Sequence, residues 1–257
     1  MSRRIDLSAD VGEGYGSWRM GDDARLLGTL SSANVACGFH AGDPTIMRRT
    51  VELCRERGVA VGAHPSFPDR VGFGRRTLQM SYDELYCDVV YQVGALTGFA
   101  QAAGERVQHV SPHGRLGNLV VEDEAYAAPV LDAIAAVDPE LAVVTYTGVL
   151  AELARDRGMR VGLMAFPDRA YEDDGTLVSR QQPGSVLHDA DAIAERARRM
   201  VEDGTVETRS GRTIELEFHT LLLHGDNDES VTAALQVRRV LEEAGVTIAP
   251  LAEVLAG

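Results

Sequence analysis

The sequence predicts an α/β protein, a single barrel of seven or eight parallel strands that are mostly separated by helices. The length of 257 residues is one indication, because a closed barrel of alternating strands and helices needs about 250 residues. The second is that short apolar segments alternate with amphipathic ones, a rhythm typical of a parallel sheet. No repeat, low-complexity tract or linker divides the sequence. We therefore expect one domain over residues 1–257.

The predicted strands are short apolar segments that end at glycine or at polar residues. In the first strand, three polar side chains alternate with three apolar ones, so one face of that strand is polar. The second strand ends within the segment 31–44, where Gly38 interrupts it. We expect strands at 5–11, 59–63, 107–112, 141–146, 161–166, 217–223 and 246–249, and a second strand along the chain that ends at 37.

The predicted helices carry recognisable start and stop residues. Pro44 suits a first helical position, where its missing N–H is not needed, and Gly58 suits the end of the same helix. Ser81 and Glu84 form a capping-box pattern at the start of a helix that runs to about residue 103. Further helices are expected at 121–137, 150–158, 190–202 and 230–245.

The composition excludes several classes of protein. The net charge of −14 argues against a nucleic-acid surface and against an anionic membrane. All 25 basic residues are arginine, which excludes lysine Schiff-base chemistry and a Walker A loop. The three cysteines form no CxxC pair, so we expect reduced thiols in a cytoplasmic protein. We expect neither a signal segment nor a membrane span, because no apolar stretch approaches about 20 residues.

Polar side chains collect where the predicted strands end, and in a parallel barrel these ends share one face. Imidazole and carboxylate groups there could bind a divalent metal that activates water, or act without metal as general acid and base. The sequence contains neither HExxH nor HxH, so both chemistries stay open. In strand order the residues are Ser8 and Asp10, Asn34 and His40, His64, His113, Asp168, and His224 with Asp226.

The loop after the third strand carries arginines among glycines. Arg70 and Arg75 could hold a carboxylate or a phosphate through forked hydrogen bonds, although a solvated charged loop has the same composition. Cys37 could be a nucleophile, but we expect a buried and inert thiol. His188 and His219 lie outside the pattern of strand ends, and we expect them to be structural or at the surface.

Seven stretches carry a family resemblance over most of the chain. They are DLSADVGEGYG (6–16), SSANVACGFHAGDP (31–44), VGAHPSFPDRVGFGRR (61–76), YQVGAL (91–96), HVSPHGRLGN (109–118), FPDRAY (166–171) and HGD (224–226). These stretches resemble the LamB/YcsF family. The resemblance implies a barrel related to the seven-stranded glycoside hydrolase/deacetylase barrels. Bacterial members include the A subunit of an ATP-dependent 5-oxoprolinase, which opens the lactam of 5-oxo-L-proline to L-glutamate and depends on partner subunits B and C for its use of ATP.

The resemblance also suggests roles for the polar residues. We expect Asp10 with His64 or His113 to do the acid–base work and His40 to orient them, while a divalent metal stays undecided. The residues expected to contact substrate are Ser8, Glu13, Asn34, Arg70, Arg75, Asn118, His224 and Asp226, with the two arginines facing its carboxylate or a phosphate.

The stretch around the fourth strand departs from the usual family pattern, which reads K-P-H-G-A-L-Y-N, and Ser8 and Pro167 replace a common asparagine and a small residue of the family elsewhere. Here Ser111, Arg115 and Gly117 stand in place of the lysine, the alanine and the tyrosine. These changes leave open a diverged paralogue that hydrolyses another lactam, a cyclic amide or a carbamoyl-type compound. A non-catalytic scaffold protein is a further alternative, although the retained histidines weigh against it. We expect the 5-oxoprolinase subunits B and C, or their homologues, as partners, and self-association into a homo-oligomer is left open.

Overall fold

Parallel strands form a closed barrel in residues 3–225 and 227–257, which the computed structural model describes. The strands are β1 (Arg4–Val11), β2 (Ser32–Ala36), β3 (Ala60–His64), β4 (Val107–Val110), β5 (Ala142–Thr145), β6 (Val161–Ala165), β7 (Thr205–Glu207), β8 (Thr213–Glu215), β9 (Thr220–Leu222) and β10 (Thr247–Ile248). Seven of these described strands form the ring in the order β1-β2-β3-β4-β5-β6-β9, and pairing of β9 with β1 closes it. The expected parallel barrel is confirmed.

Except for α9, which follows the last strand, the helices lie between strands along the chain and pack around the ring. They are α1 (Asp23–Leu26), α2 (Pro44–Arg57), α3 (Tyr82–Ala102), α4 (Gly114–Glu122), α5 (Glu124–Val137), α6 (Val149–Asp156), α7 (Ala190–Asp203), α8 (Asp228–Glu243) and α9 (Leu251–Val254). No helix formed by the described residues is both long enough and apolar enough to cross a membrane.

Local sequence signals set the helix starts that shape the barrel mouth. Asp43 caps α2 by accepting from the backbone N–H groups of Thr45 and Ile46, at 2.8 and 3.0 Å. Gly58 ends the same helix in the left-handed region, at φ 67°. At α3 the expected capping box between Ser81 and Glu84 is present. The loop between β2 and α2 is therefore fixed where it joins α2.

The inside of the barrel is polar, in contrast to the apolar layer between the strands and the helices. The inward face of β1 carries Asp6, Ser8 and Asp10, as the alternation of the sequence predicts. His109 of β4 fills the space opposite Gly62, where an added Cβ would lie 2.0 Å from the Nε2 atom of His109. The absence of a side chain at Gly62 is thus what admits an imidazole to the interior.

Three parts of the fold differ from the sequence expectations. The helix expected at 121–137 is α5, which begins at Glu124, and the sequence expectations missed α4, which ends just before it at Glu122. Gly114 and Gly117 resemble helix breakers, yet α4 begins at Gly114 with φ 58° and packs its second glycine against the carbonyl of Pro112. The turn expected at 209–212 joins the antiparallel pair β7–β8. The last predicted strand, β10, pairs with β1 at Arg4 and outside the ring.

Candidate active site

Five side chains meet at the carboxyl-terminal ends of β1 to β4, and we call them the histidine cluster: Asp10, Glu13, His40, His64 and His113. Asp10 and Glu13 lie at and just after the end of β1, and His64 is the last residue of β3. His40 lies in the β2–α2 loop, and His113 precedes α4. Adjacent parallel strands bring these positions together on one face.

Backbone carbonyls orient two of the three imidazoles. The Nδ1 atom of His64 lies 2.6 Å from the carbonyl oxygen of Ser111, and the Nε2 atom of His113 lies 2.9 Å from that of Phe73. A carbonyl can only accept, so each of these nitrogens carries a hydrogen. The opposite nitrogens face one another, since His64 Nε2 and His113 Nδ1 are 2.9 Å apart. His64 Nε2 is also 3.2 Å from Asp10 Oδ2.

Glu13 and His40 complete the histidine cluster. Glu13 Oε1 lies 3.0 Å from His40 Nε2 and 3.4 Å from His113 Nδ1. The rings of His40 and His113 stack, with centroids 3.8 Å apart and planes inclined by 6°. Phe73 meets both rings edge to face and has a φ of 54°, which is rare for a residue with a side chain. This backbone strain aims the Phe73 carbonyl at His113.

Burial and mutual charge set the protonation of the cluster. Burial alone would raise the pKa of Asp10, but the facing positive charge of His64 holds it well below its usual value. Burial alone would lower the pKa of His64, but Asp10 raises it above 6.5. Burial and the neighbouring imidazoles lower the pKa of His40, and lower that of His113 to about 3. At neutral pH the cluster therefore contains an Asp10–His64 ion pair beside two neutral imidazoles.

Two further side chains, Asn34 and His109, form a chain of hydrogen bonds that holds Asp10 in place. The amide nitrogen of Asn34 donates to Asp10 Oδ1 at 3.0 Å, and the amide oxygen accepts from His109 Nε2 at 2.8 Å. Burial lowers the pKa of His109 to about 4, so its ring is neutral. Asn34 thus positions Asp10. Ser8 lies two residues further down β1, where its hydroxyl is buried and hydrogen-bonded to Thr220 at 2.8 Å.

Two arginines of the loop after β3 stabilise the mouth itself. The buried carboxylate of Asp69 accepts from the guanidinium of Arg76, with Nε 2.9 Å from Oδ1. Arg70 donates to the carbonyl of Gly38 at 2.7 Å and stacks over the ring of Tyr15, 3.8 Å from its centroid. Arg70 therefore joins this loop to the loops that follow β1 and β2.

Arg75 and Asn118 are both exposed, but they relate differently to the cluster. The guanidinium of Arg75 lies 5.1 Å from the ring centroid of Phe73. Burial and the neighbouring imidazoles lower the pKa of His40 and of His113 most, and the positive charge of Arg75 lowers both pKa values further. Arg75 thus places a positive charge beside the histidine cluster. Asn118 lies in the middle of α4, and among the described residues no hydrogen bond joins it to the cluster.

The fourth predicted histidine belongs to a separate site on the same face. His224 pairs with Asp168 through Nδ1 and Oδ2, and its Nε2 lies 3.0 Å from the guanidinium of Arg180. These three residues line a cavity of about 240 Å³. Phe166 stacks on the ring of His224 and on that of Tyr146. Asp226 lies outside the described residues.

Sequence reasoning missed several contributors to the site. His109 lies two residues before Ser111 in the sequence, and nothing in the sequence indicates its contact with Asn34. The carbonyl groups of Ser111 and Phe73 have no signature in the sequence, because any residue supplies a carbonyl. The Cys37 thiol donates to a backbone carbonyl at 3.2 Å, and burial raises its pKa to about 12. An inert thiol is what this environment produces.

Four residues could hold a metal ion. Glu13, His40, His64 and His113 each offer one ligand atom, and these atoms all lie within 4.8 Å of one another.

The fold and the site together define a parallel β/α barrel with an imidazole–carboxylate cluster at the face where such barrels place their chemistry. The chain belongs to the LamB/YcsF family, whose model matches residues 5–256. A protein of Pseudomonas syringae pv. tomato that is named as an A subunit of 5-oxoprolinase is 48% identical, over 97% of this chain and 98% of its own. A protein of Thermococcus onnurineus named in the same way is 46% identical, over 97% and 98%.

Solved structures agree with the fold. The crystal structure of a lactam utilization protein from Thermus thermophilus is 44% identical and superimposes with a TM-score of 0.92, covering 96% of this chain and 99% of that one. A peptidoglycan deacetylase from Bacillus subtilis, 15% identical with a TM-score of 0.50, covers 98% of this chain and 90% of that one and shares the barrel fold.

Proposed function

We propose that this chain is the A subunit of an ATP-dependent 5-oxoprolinase and hydrolyses the lactam of 5-oxo-L-proline to L-glutamate. The observation that carries the proposal is that relatives named as this component of the enzyme are 45–49% identical over nearly their whole length. The Asp10–His64 pair at the barrel mouth supports it, because opening a lactam needs proton transfer. The reaction is placed in the cytoplasm, where ATP is present and thiols stay reduced.

The need for ATP follows from the low reactivity of the lactam toward water. An unstrained amide is a poor electrophile, and transfer of a phosphoryl group to its oxygen makes the ring carbon open to attack by water. The chain has no lysine and hence no Walker A loop, so partner subunits B and C, or their homologues, are assigned the use of ATP. The barrel mouth is assigned the water attack and the departure of the ring nitrogen.

Exposure favours Asp10 as the group that meets the substrate. The side chain of Asp10 is 26% exposed, compared with 4% for His64 and 6% for His113. Asp10 is therefore assigned the proton of the attacking water as the C–O bond forms, and the return of a proton to the ring nitrogen as the C–N bond breaks. The acyl phosphate of glutamate that this leaves is hydrolysed by a second water to glutamate and inorganic phosphate. His64, behind Asp10, balances its negative charge and holds a proton within 3.2 Å of it.

Arg75 supplies the counter-charge for the substrate. A 5-oxoproline molecule carries one carboxylate, and a guanidinium matches it with two parallel hydrogen bonds. Arg70 and Arg76 are held by protein groups, whereas Arg75 lies exposed next to the cluster. We therefore assign the substrate carboxylate to Arg75.

The direct test is release of glutamate from 5-oxoproline by this chain together with competent B and C subunits. The expected result is release that needs ATP and both partners and that disappears in His113→Ala, with circular dichroism as the check on folding. Activity of His113→Ala equal to the parent would remove His113 from the reaction. No release with partners that are active alongside another A subunit would instead point to a different lactam as the substrate.

A further inference from the structure

We propose that the histidine cluster binds one divalent cation of the zinc type, through Glu13, His64 and His113, with His40 as a weaker fourth ligand. This inference deepens the proposed function, because the cation would lie in the same site, beside Asp10. Its test does not depend on lactam hydrolysis.

Counting hydrogens at the cluster shows more converging acceptor atoms than the Asp10–His64 ion pair serves. His64 and His113 each give one N–H to a backbone carbonyl. In their neutral forms, the two remaining nitrogens present lone pairs to each other across 2.9 Å. The carboxylate oxygen of Glu13 approaches the same nitrogen of His113 to 3.4 Å. Such a convergence of acceptors is stable only with a positive charge between them.

A single proton meets this need only in part. A hydrogen on His64 Nε2 can point to Asp10 Oδ2 at 3.2 Å or to His113 Nδ1 at 2.9 Å, and a hydrogen on His40 Nε2 can point to Glu13 Oε1 at 3.0 Å. Neither places a hydrogen between Glu13 Oε1 and His113 Nδ1, which are 3.4 Å apart. A divalent cation would serve all of these acceptors at once. Three imidazole nitrogens and one carboxylate oxygen are a donor set typical of Zn²⁺.

The surroundings of the ligands also fit a metal site. An imidazole that binds a metal usually donates its other N–H to a carbonyl or carboxylate, which fixes the tautomer. The carbonyls of Ser111 and Phe73 do this for His64 and His113. The rings of these two histidines are inclined by 83°, so their lone pairs can converge on one point.

His40 is less well prepared than the other ligands. Its ring lies parallel to that of His113, 3.8 Å away, so its Nε2 lone pair lies in a displaced plane. Its Nδ1 atom is buried and has no hydrogen-bond partner among the described residues, so no second group fixes its tautomer. The structure therefore predicts an order of importance, with His64 and His113 before His40.

The test is titration of the chelator-treated full chain with CoCl₂ and with ZnCl₂, followed by calorimetry and by the visible d–d absorption of bound Co²⁺. We expect about one cation per chain. His113→Ala and His64→Ala should each weaken binding by about 100-fold or more, and His40→Ala by about 10-fold. The exposed His188 provides the matched control, and His188→Ala should bind as the parent does. Glu13→Gln keeps the shape and removes the charge, which guards against misfolding of the alanine variants.

Two results would overturn the inference. One is the absence of saturable binding, and the other is binding that His113→Ala and Glu13→Gln leave unchanged while His188→Ala removes it. Either result would leave the proton on His64 as the positive charge of the cluster. Glutamate release by protein that binds no cation would leave the proposed function intact, whereas stoichiometric binding without lactam hydrolysis would support the metal site and contradict the function.

Discussion

Replacing Asn34 with leucine should destabilise the fold and impair Asp10 in one step. Asn34 is fully buried, donates to Asp10 and accepts from His109, and leucine has nearly the same size. The variant leaves the Nε2–H of His109 without a partner and deprives a carboxylate of one hydrogen bond. Each loss costs about 1–3 kcal/mol. Because Asp10 is partly exposed and can turn to water, we expect about 3 kcal/mol in total.

That loss is measurable in two assays. For a chain of this size about 3 kcal/mol corresponds to a fall in Tm of about 6–12 °C, and urea unfolding should give the same free energy. Glutamate release should fall by at least about tenfold because the Asp10 carboxylate loses its fixed orientation. Thr29→Val is the matched control, since it removes a buried hydroxyl whose partner is the carbonyl of Leu26, and it should leave the specific activity unchanged.

A double-mutant cycle makes the reasoning refutable. His109→Leu alone leaves the Asn34 oxygen unsatisfied, whereas the double variant removes both halves of that hydrogen bond. The double variant should therefore be more stable than the sum of the two losses predicts, by about 1 kcal/mol or more. Additive losses, or an Asn34→Leu protein as stable as the parent, would show that this chain of contacts does not hold Asp10.

Three further predictions concern other parts of the molecule. Gly62→Ala should displace the His109 ring, because the new Cβ would lie 2.0 Å from Nε2, and should cost about 1–3 kcal/mol in urea unfolding; parental stability would contradict the described packing. Arg75→Ala should raise KM for the lactam more than it lowers kcat, because Arg75 is assigned to the substrate carboxylate; an unchanged KM would show that Arg75 does not bind that carboxylate. Burial raises the pKa of Asp6 to about 6, so the folded state binds more protons than the unfolded state between about pH 4 and 6. Stability should fall as pH rises through that window, by up to about 3 kcal/mol, and the fall should vanish in Asp6→Asn; an equal fall in that variant would assign it to another group.

Much of the fold follows from short-range signals. The polar alternation of β1, the cap at Asp43 and the capping box at Ser81 are local sequence patterns. Each pattern indicates a single local structure, and that structure is present in the barrel. The start of α4 could not be predicted, because glycines at 114 and 117 normally end helices. Here a positive φ at Gly114 and close packing against Pro112 give them a place at its start.

The candidate site was predictable as a set of strand ends but not as a set of contacts. Position at the end of a parallel strand places His40, His64, His113 and His224 on one face. The separation of His224 into its own pair with Asp168 depends on β6 and β9 being neighbours in the ring. The tautomers of the cluster depend on where loop carbonyls point, which only the folded loops determine.

The contact of Gly117 with Pro112 bears on the departures from the family pattern. A Cβ at this position would lie 2.4 Å from the Pro112 carbonyl oxygen, so the turn before α4 is tight here. Arg115 points to the side chain of Thr77, with Nε 3.0 Å from Oγ1. Ser111 contributes its carbonyl to His64, a contact that does not depend on its side chain. The three changed residues thus leave the contacts within the histidine cluster in place.

The measurement that tests the central claim most directly is the kcat of Asp10→Asn for ATP-dependent glutamate release with competent partner subunits. Asparagine keeps the shape of aspartate but cannot take up a proton from water. We expect a fall of about 10²–10⁴-fold, the usual contribution of a general acid–base group, in a protein whose far-ultraviolet circular dichroism spectrum matches that of the parent. A folded Asp10→Asn protein within about tenfold of the parent kcat would contradict it.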